Sequence, residues 1–204
     1  MSLQALEIFP TRLFHADWEG DTEALLEYTK ATFTNEGTQV VDQSDPNLYL
    51  DPNYSELFVF LNQCLEELRQ GYEFKCDGFK ITTAWANKYG PHTSNQFHRH
   101  PMSAWSGVFF LTEGAPLAVR DPVVYRSHQS TMPISPYENS YFTLDPVPGR
   151  VVFFPHWVEH GAINDREDER WSIAFNSMPY GKINFDDGRN LSSAILRVED
   201  YSNE

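Results

Sequence analysis

The chain has 204 residues, a length that one domain with a real hydrophobic core accounts for. Apolar residues make up 41% and aromatics 15%, which excludes a disordered chain. The net charge of −14 argues against partners that present nucleic-acid backbones or anionic lipid surfaces.

From the N-terminus, Leu6 to Phe14 reads as a strand interrupted by Pro10. No basic segment and long apolar run precede it, so the expectation is a cytoplasmic protein without a signal peptide. Asp21 or Thr22 can cap a helix running to about Phe33. Residues 34–50 are polar and turn-rich. Asp51-Pro52 then gives a cap followed by proline at the first helical position. Leu57, Phe58, Leu61, Cys64, Leu65 and Leu68 recur at helical steps, and Gly71 is the expected stop. Cys64 and Cys76 are the only cysteines. They are too few for a disulfide scaffold and match no zinc-ribbon spacing, so reduced thiols are expected. No run approaches the roughly 18 apolar residues of a membrane span.

From about Phe79 the texture changes to short strands with turn punctuation. Strands are expected at 80–89, 97–101, 106–112, 117–120, 150–155 and 170–178. Residues 121–147 read as a long proline-rich loop suited to covering something. This pattern predicts a mainly β protein with flanking helices: a jelly roll with helices packed on one outer face. We read residues 1–204 as a single domain. It has a mixed helical part to about 78, a β core over about 79–180 and a C-terminal extension over about 181–204.

Histidines carry the chemistry. His98 and His100 are separated by one residue, which on a strand places both on the same side. Alone, such a triplet is more often a surface feature, but Pro101 ends the strand and puts the pair at its mouth. His160 follows a distant apolar strand and could complete a set of three imidazoles, which suits iron, copper, nickel or zinc. Three ligands leave coordination positions open, as catalytic sites do. His156 is expected at the rim or as an outer neighbour of the ligands, and Glu159 should point away from the neighbouring histidine. Arg170 follows an acidic loop, where ion pairs of small worth are usual. If its strand pairs with the one carrying His160, its guanidinium faces the metal and suits a carboxylate. Trp85, Asn87, Trp105 and Trp157 are candidate pocket residues.

The segments FHRHPMSAWSGVFFL, LAVRDPV, GRVVFFPHWVEHGA and ERWSIAFN resemble the core of the iron(II)/2-oxoglutarate-dependent oxygenases, over roughly residues 80–180. The resemblance implies a double-stranded β-helix with Fe(II) as cofactor and 2-oxoglutarate and O2 as co-substrates. The reaction it implies hydroxylates an unidentified small-molecule or side-chain substrate and releases succinate and CO2. His98 and His160 then resemble the two iron-binding histidines, and Arg170 the arginine that takes the remote carboxylate of 2-oxoglutarate. His100 departs from the pattern, because most relatives carry Asp or Glu there. Phe110 departs too, standing where many have a tyrosine that helps hold 2-oxoglutarate. Three neutral imidazoles leave the centre near charge +2, where a carboxylate would leave about +1. Buried edges of such barrels often pair, so a homodimer is a compatible assembly. Two other readings compete. One is a three-histidine iron centre without 2-oxoglutarate, like the thiol dioxygenases on cupin barrels, which an outward-facing Arg170 would favour. The other is a non-catalytic jelly-roll binding module, which a closed four-ligand metal site would favour.

Overall fold

The computed structural model describes residues 11–35, 41–72, 74–120, 141–164, 166–183 and 194–197. Two antiparallel sheets face each other. The larger holds β1 (Phe14–Asp17), β8 (Arg150–Pro155), β5 (Trp105–Phe110), β10 (Arg170–Ile183), β3 (Gly78–Tyr89) and β2 (Asp42–Gln43), in that order, with β11 (Ala194–Leu196) paired to β10. The smaller is ordered β4 (Ser94–His98), β9 (His160–Ile163), β6 (Leu117–Arg120) and β7 (Tyr141–Leu144). This is the expected jelly roll.

The central strands of the larger sheet are buried on both faces. On β5 and β8, Val108, Phe110, Val152 and Phe154 pack between the sheets, with Leu117, Val119 and Val158 opposite. The alternate residues Phe109, Val151 and Phe153, with Ile173 and Phe175 of β10, face outward under a helical layer. That layer is α1 (Thr22–Thr32) and α2 (Ser55–Gly71). Asp21 caps α1 by accepting from the Ala24 amide at 2.9 Å, as its short acceptor side chain allows. On α2, Leu57, Phe58, Leu61, Leu65 and Leu68 are buried, each worth about 1.5–3 kcal/mol on leaving water.

Several local expectations need correction. The first observed strand is Phe14–Asp17, and residues 1–10 lie outside the described residues. Gly71 is the last residue of α2 rather than the position beyond it, and the Tyr72 amide closes the helix on the Leu68 and Gln70 carbonyls. The segment read as one long loop contains β7, while 121–140, where a covering loop was expected, lies outside the described residues. β2 and β11 were too short to stand out from their polar surroundings. Trp105 faces the helical side, edge-on to Phe14 and Phe74, so it is a core residue and not part of the pocket.

The strand of Arg170 does not pair with that of His160. β10 pairs with β3, β5 and β11, whereas β9 pairs with β4 and β6. The two residues meet across the barrel interior instead, since both strands turn their inner faces to the same cavity.

Candidate active site

β4 runs antiparallel to β9 and makes His98 the cross-strand partner of His160. Gly161 permits the approach. A Cβ there would lie 2.8 Å from the Asn95 carbonyl oxygen and 3.2 Å from the Phe97 amide nitrogen. β4 ends at His98, so His100 is not on the strand. It belongs to the following turn, where its amide donates to the His156 carbonyl at 3.3 Å. The expected same-side alternation therefore holds only for its outcome, and a turn produces it. His156 itself is exposed, at the rim.

The three rings converge. One nitrogen from each of His98, His100 and His160 lies within 4.8 Å of the others. The His98 and His160 ring centroids are 4.6 Å apart; those of His100 and His160 are 5.0 Å apart and nearly parallel. His98 donates its Nδ1–H to the Gln96 carbonyl at 2.8 Å, and His160 donates its own to the Val158 carbonyl at 3.1 Å. A carbonyl can only accept, so in the neutral form of either ring Nε2 carries the bare lone pair. Nε2 of His100 lies 3.2 Å from Nε2 of His160. A cation about 2.0–2.1 Å from two nitrogens at angles of about 90–110° sets them about 2.8–3.4 Å apart, so this spacing suits one ion. Burial, with the His98 charge second, pushes His100 down to about 4 and His160 down to about 3. Both are neutral at pH 7, as metal ligands must be.

The second half of the site lies along β10 and β3. With period two, Arg170, Ser172, Ala174 and Asn176 share the inner face of β10. Opposite them in register stand Tyr89, Asn87, Trp85 and Thr83 of β3. Arg170 is 1% exposed, and its Nε and Nη1 have no hydrogen-bond partner among the described residues. Its guanidinium carbon lies 4.8 Å from the Tyr89 ring centroid and 5.4 Å from that of Phe110. Two carboxylates of the acidic loop are engaged elsewhere: Glu169 pairs with Lys88 at 3.0 Å and Glu167 with His92 at 3.2 Å. Ser172 Oγ is likewise buried and unpartnered among the described residues. A buried cation and hydroxyl without partners cost several kcal/mol together unless an anion joins them. Both line the cavity of the three histidines, so the residues present fit a carboxylate ligand as well as a cation.

Asn87 lines this cavity and is 4% exposed. Its Oδ1 accepts from Gln43 at 2.9 Å and from the Trp85 indole at 3.1 Å, which aligns its Nδ2 as a donor. Trp85 stacks on His100 with centroids 5.9 Å apart, whereas Trp157 is exposed. Glu159 points away from the histidines and pairs with Arg120 at 2.8 Å. Sequence reasoning missed Ser172, Tyr89 and Gln43. Counting in twos from Arg170 and Asn87 would have found the first two; Gln43 had no such signal.

Residues 83–176 match the model of a family described as "Putative 2OG-Fe(II) oxygenase". Over that stretch, a little under half of its length, the chain is similar to this family of oxygenases. No curated protein matches the sequence. Solved structures share the fold at low identity. A prolyl-4-hydroxylase from Pseudomonas putida is 14% identical with a TM-score of 0.60, over 84% of this chain and 94% of that one. HygX from Streptomyces hygroscopicus, crystallised with nickel, 2-oxoglutarate and hygromycin B, is 10% identical with a TM-score of 0.59, over 83% of each chain. The epimerase SnoN from nogalamycin biosynthesis is 11% identical with a TM-score of 0.62, over 85% of this chain and 81% of that one. Among the described residues no helix is long and apolar enough to cross a membrane.

Proposed function

We propose that the protein is an oxygenase that hydroxylates a small-molecule or side-chain substrate, consuming O2 and 2-oxoglutarate and releasing succinate and CO2. His98, His100 and His160 hold Fe(II) through Nε2. Arg170 and Ser172 receive the remote carboxylate of 2-oxoglutarate, Tyr89 and Phe110 wall the guanidinium, and Asn87 offers an amide donor to the same cavity. The iron, when bound, supplies the dioxygen chemistry that no side chain can perform. The chain's own part is to bring three imidazoles together, to keep His100 and His160 neutral, and to leave one buried cation free for the co-substrate.

One observation carries this reading. Arg170, through Nε and Nη1, and Ser172, through Oγ, lack partners among the described residues, and both line the cavity of the three histidines. It also separates this function from a three-histidine centre without 2-oxoglutarate, which would leave a buried guanidinium with nothing to bind. Titration of the anaerobic Fe(II) protein with 2-oxoglutarate should produce a visible charge-transfer band. His98→Ala or His160→Ala should remove iron binding, and Arg170→Ala should spare iron and weaken the co-substrate. A protein that binds Fe(II) but gives no band with excess 2-oxoglutarate would refute the assignment.

A further inference from the structure

His98 and His160 stand on paired strands, so the sheet itself sets their separation. His100 has no strand beneath it. It lies past the end of β4, in a turn that runs to the start of β5 at Trp105. The aim of the third imidazole therefore depends on what fixes that turn.

The turn is strained. Met102 has a φ of +63°, in the left-handed region that L side chains avoid. Its side chain is 84% exposed, too open to offset the strain by packing. Such a conformation persists only where its surroundings impose it. On one side Pro101 presets its own φ. On the other stands Ser103, which is buried. Its Oγ donates to the Trp105 carbonyl at 2.9 Å, with the Ser177 carbonyl at 3.3 Å as a second acceptor. The Ser106 hydroxyl lies 3.1 Å away and commits its own proton to Asn176 Oδ1 at 2.8 Å, so it too can only accept from Ser103. Three acceptors on β5 and β10 thus surround one proton from the turn.

The backbone extends this tie. The Ala104 amide donates to the Ser177 carbonyl at 2.7 Å, and the His156 amide to the Ala104 carbonyl at 3.2 Å. The His156 carbonyl in turn holds the His100 amide. Among the described residues, those lining the histidine cavity do not include Ser103, so it acts through the turn and not on the cation.

We propose that Ser103 is the positioning residue of the third histidine: by pinning the left-handed turn to the corner of β5 and β10, it holds His100 at the spacing from His160 that one cation requires. This rests on the metal reading above and adds to it. Removing the hydroxyl orphans neither carbonyl, because Trp105 still accepts from Ser177 Oγ at 2.9 Å and Ser177 still accepts from the Ala104 amide. What is lost is the side-chain hold on the turn.

The test compares the full-length protein with Ser103→Ala, Ser103→Cys and Ser177→Ala. Ni(II) and Co(II) affinities are measured by calorimetry, Co(II) spectra are recorded, and each apo protein is melted. Ser103→Ala should weaken both metals about 10-fold, the low end for outer partners of a metal site, and move the Co(II) bands toward those of His100→Ala. Ser103→Cys keeps the bulk with a weaker donor and should fall between. Ser177→Ala loses a bond of the same kind to the same carbonyl, so it should melt lower while affinity and bands stay wild type. If Ser103→Ala does not fold, the cysteine variant makes the same comparison. Wild-type affinity and bands in the Ser103 variants would overturn the proposal. So would a Ser177→Ala protein that shifts them equally, because lost stability alone would then explain the effect. Wild-type protein that binds neither metal would instead defeat the metal reading itself.

Discussion

Replacing Arg170 with methionine should stabilise the ligand-free protein while destroying co-substrate binding. In the apo protein, Arg170 is 1% exposed, and two of its nitrogens lack partners among the described residues. Each orphaned donor costs about 1–3 kcal/mol, more when charged. Methionine fills much of the same space without a donor. The substitution loses the cation–π contacts with Tyr89 and Phe110, at about 0.5–2 kcal/mol each. Taken at their midpoints, these terms favour methionine by about 1–2 kcal/mol. At about 2–4 °C per kcal/mol for a protein of this size, Tm should rise by several degrees. Wild-type protein loaded with Ni(II) and saturated with 2-oxoglutarate at 100 times its Kd should gain about 2.7 kcal/mol, or about 5–10 °C. Arg170→Met should gain nothing from 2-oxoglutarate. Differential scanning calorimetry with and without the ligand reads both effects. A variant that melts well below wild type, or that still responds to 2-oxoglutarate, would refute the reasoning.

Other outcomes follow from the same geometry. Ser172→Ala should leave metal affinity unchanged, stabilise the apo protein by about 1–3 kcal/mol by removing the orphaned hydroxyl, and weaken 2-oxoglutarate about 10- to 100-fold, the worth of a hydrogen bond to a charged group; calorimetric titration checks it, and unchanged affinity would place the carboxylate elsewhere. Gly161→Ala should cost about 1–3 kcal/mol and weaken Ni(II), because its Cβ would press on the β4 backbone that carries His98. Chemical denaturation and metal titration test this together, and a variant with wild-type values in both would show that the close approach is unimportant. Apo stability should fall as pH drops below the unfolded histidine value of about 6.5, since His100 stays neutral to about 4 and His160 to about 3. Each histidine contributes about 1.4 kcal/mol per pH unit in that range. The window from about pH 6.5 to 5 isolates them from the carboxylates, which titrate lower. Urea midpoints that stay flat across that window would contradict the burial of both rings.

What the sequence determined was local. Helical steps from Leu57 to Leu68 and the Asp21 cap made both helices legible, and doubly apolar runs at 106–112 and 150–155 revealed strands buried on both faces. His98, His100, His160 and Arg170 were identifiable by residue type, because few side chains offer a soft nitrogen or a planar cation at strand ends. The tertiary structure decided which strands are neighbours, and that choice depends on interior packing that no local pattern encodes. Arg170 reaches the cavity from the opposite sheet, paired with Tyr89 of β3 rather than with the His160 strand. Trp105 and Trp85 look alike in sequence, yet one packs beneath the helices and the other stacks on His100. Ser172 and Tyr89 gained their roles only once register aligned β10 with β3 and β5. A polar side chain takes its meaning from the partner it finds or lacks across the barrel.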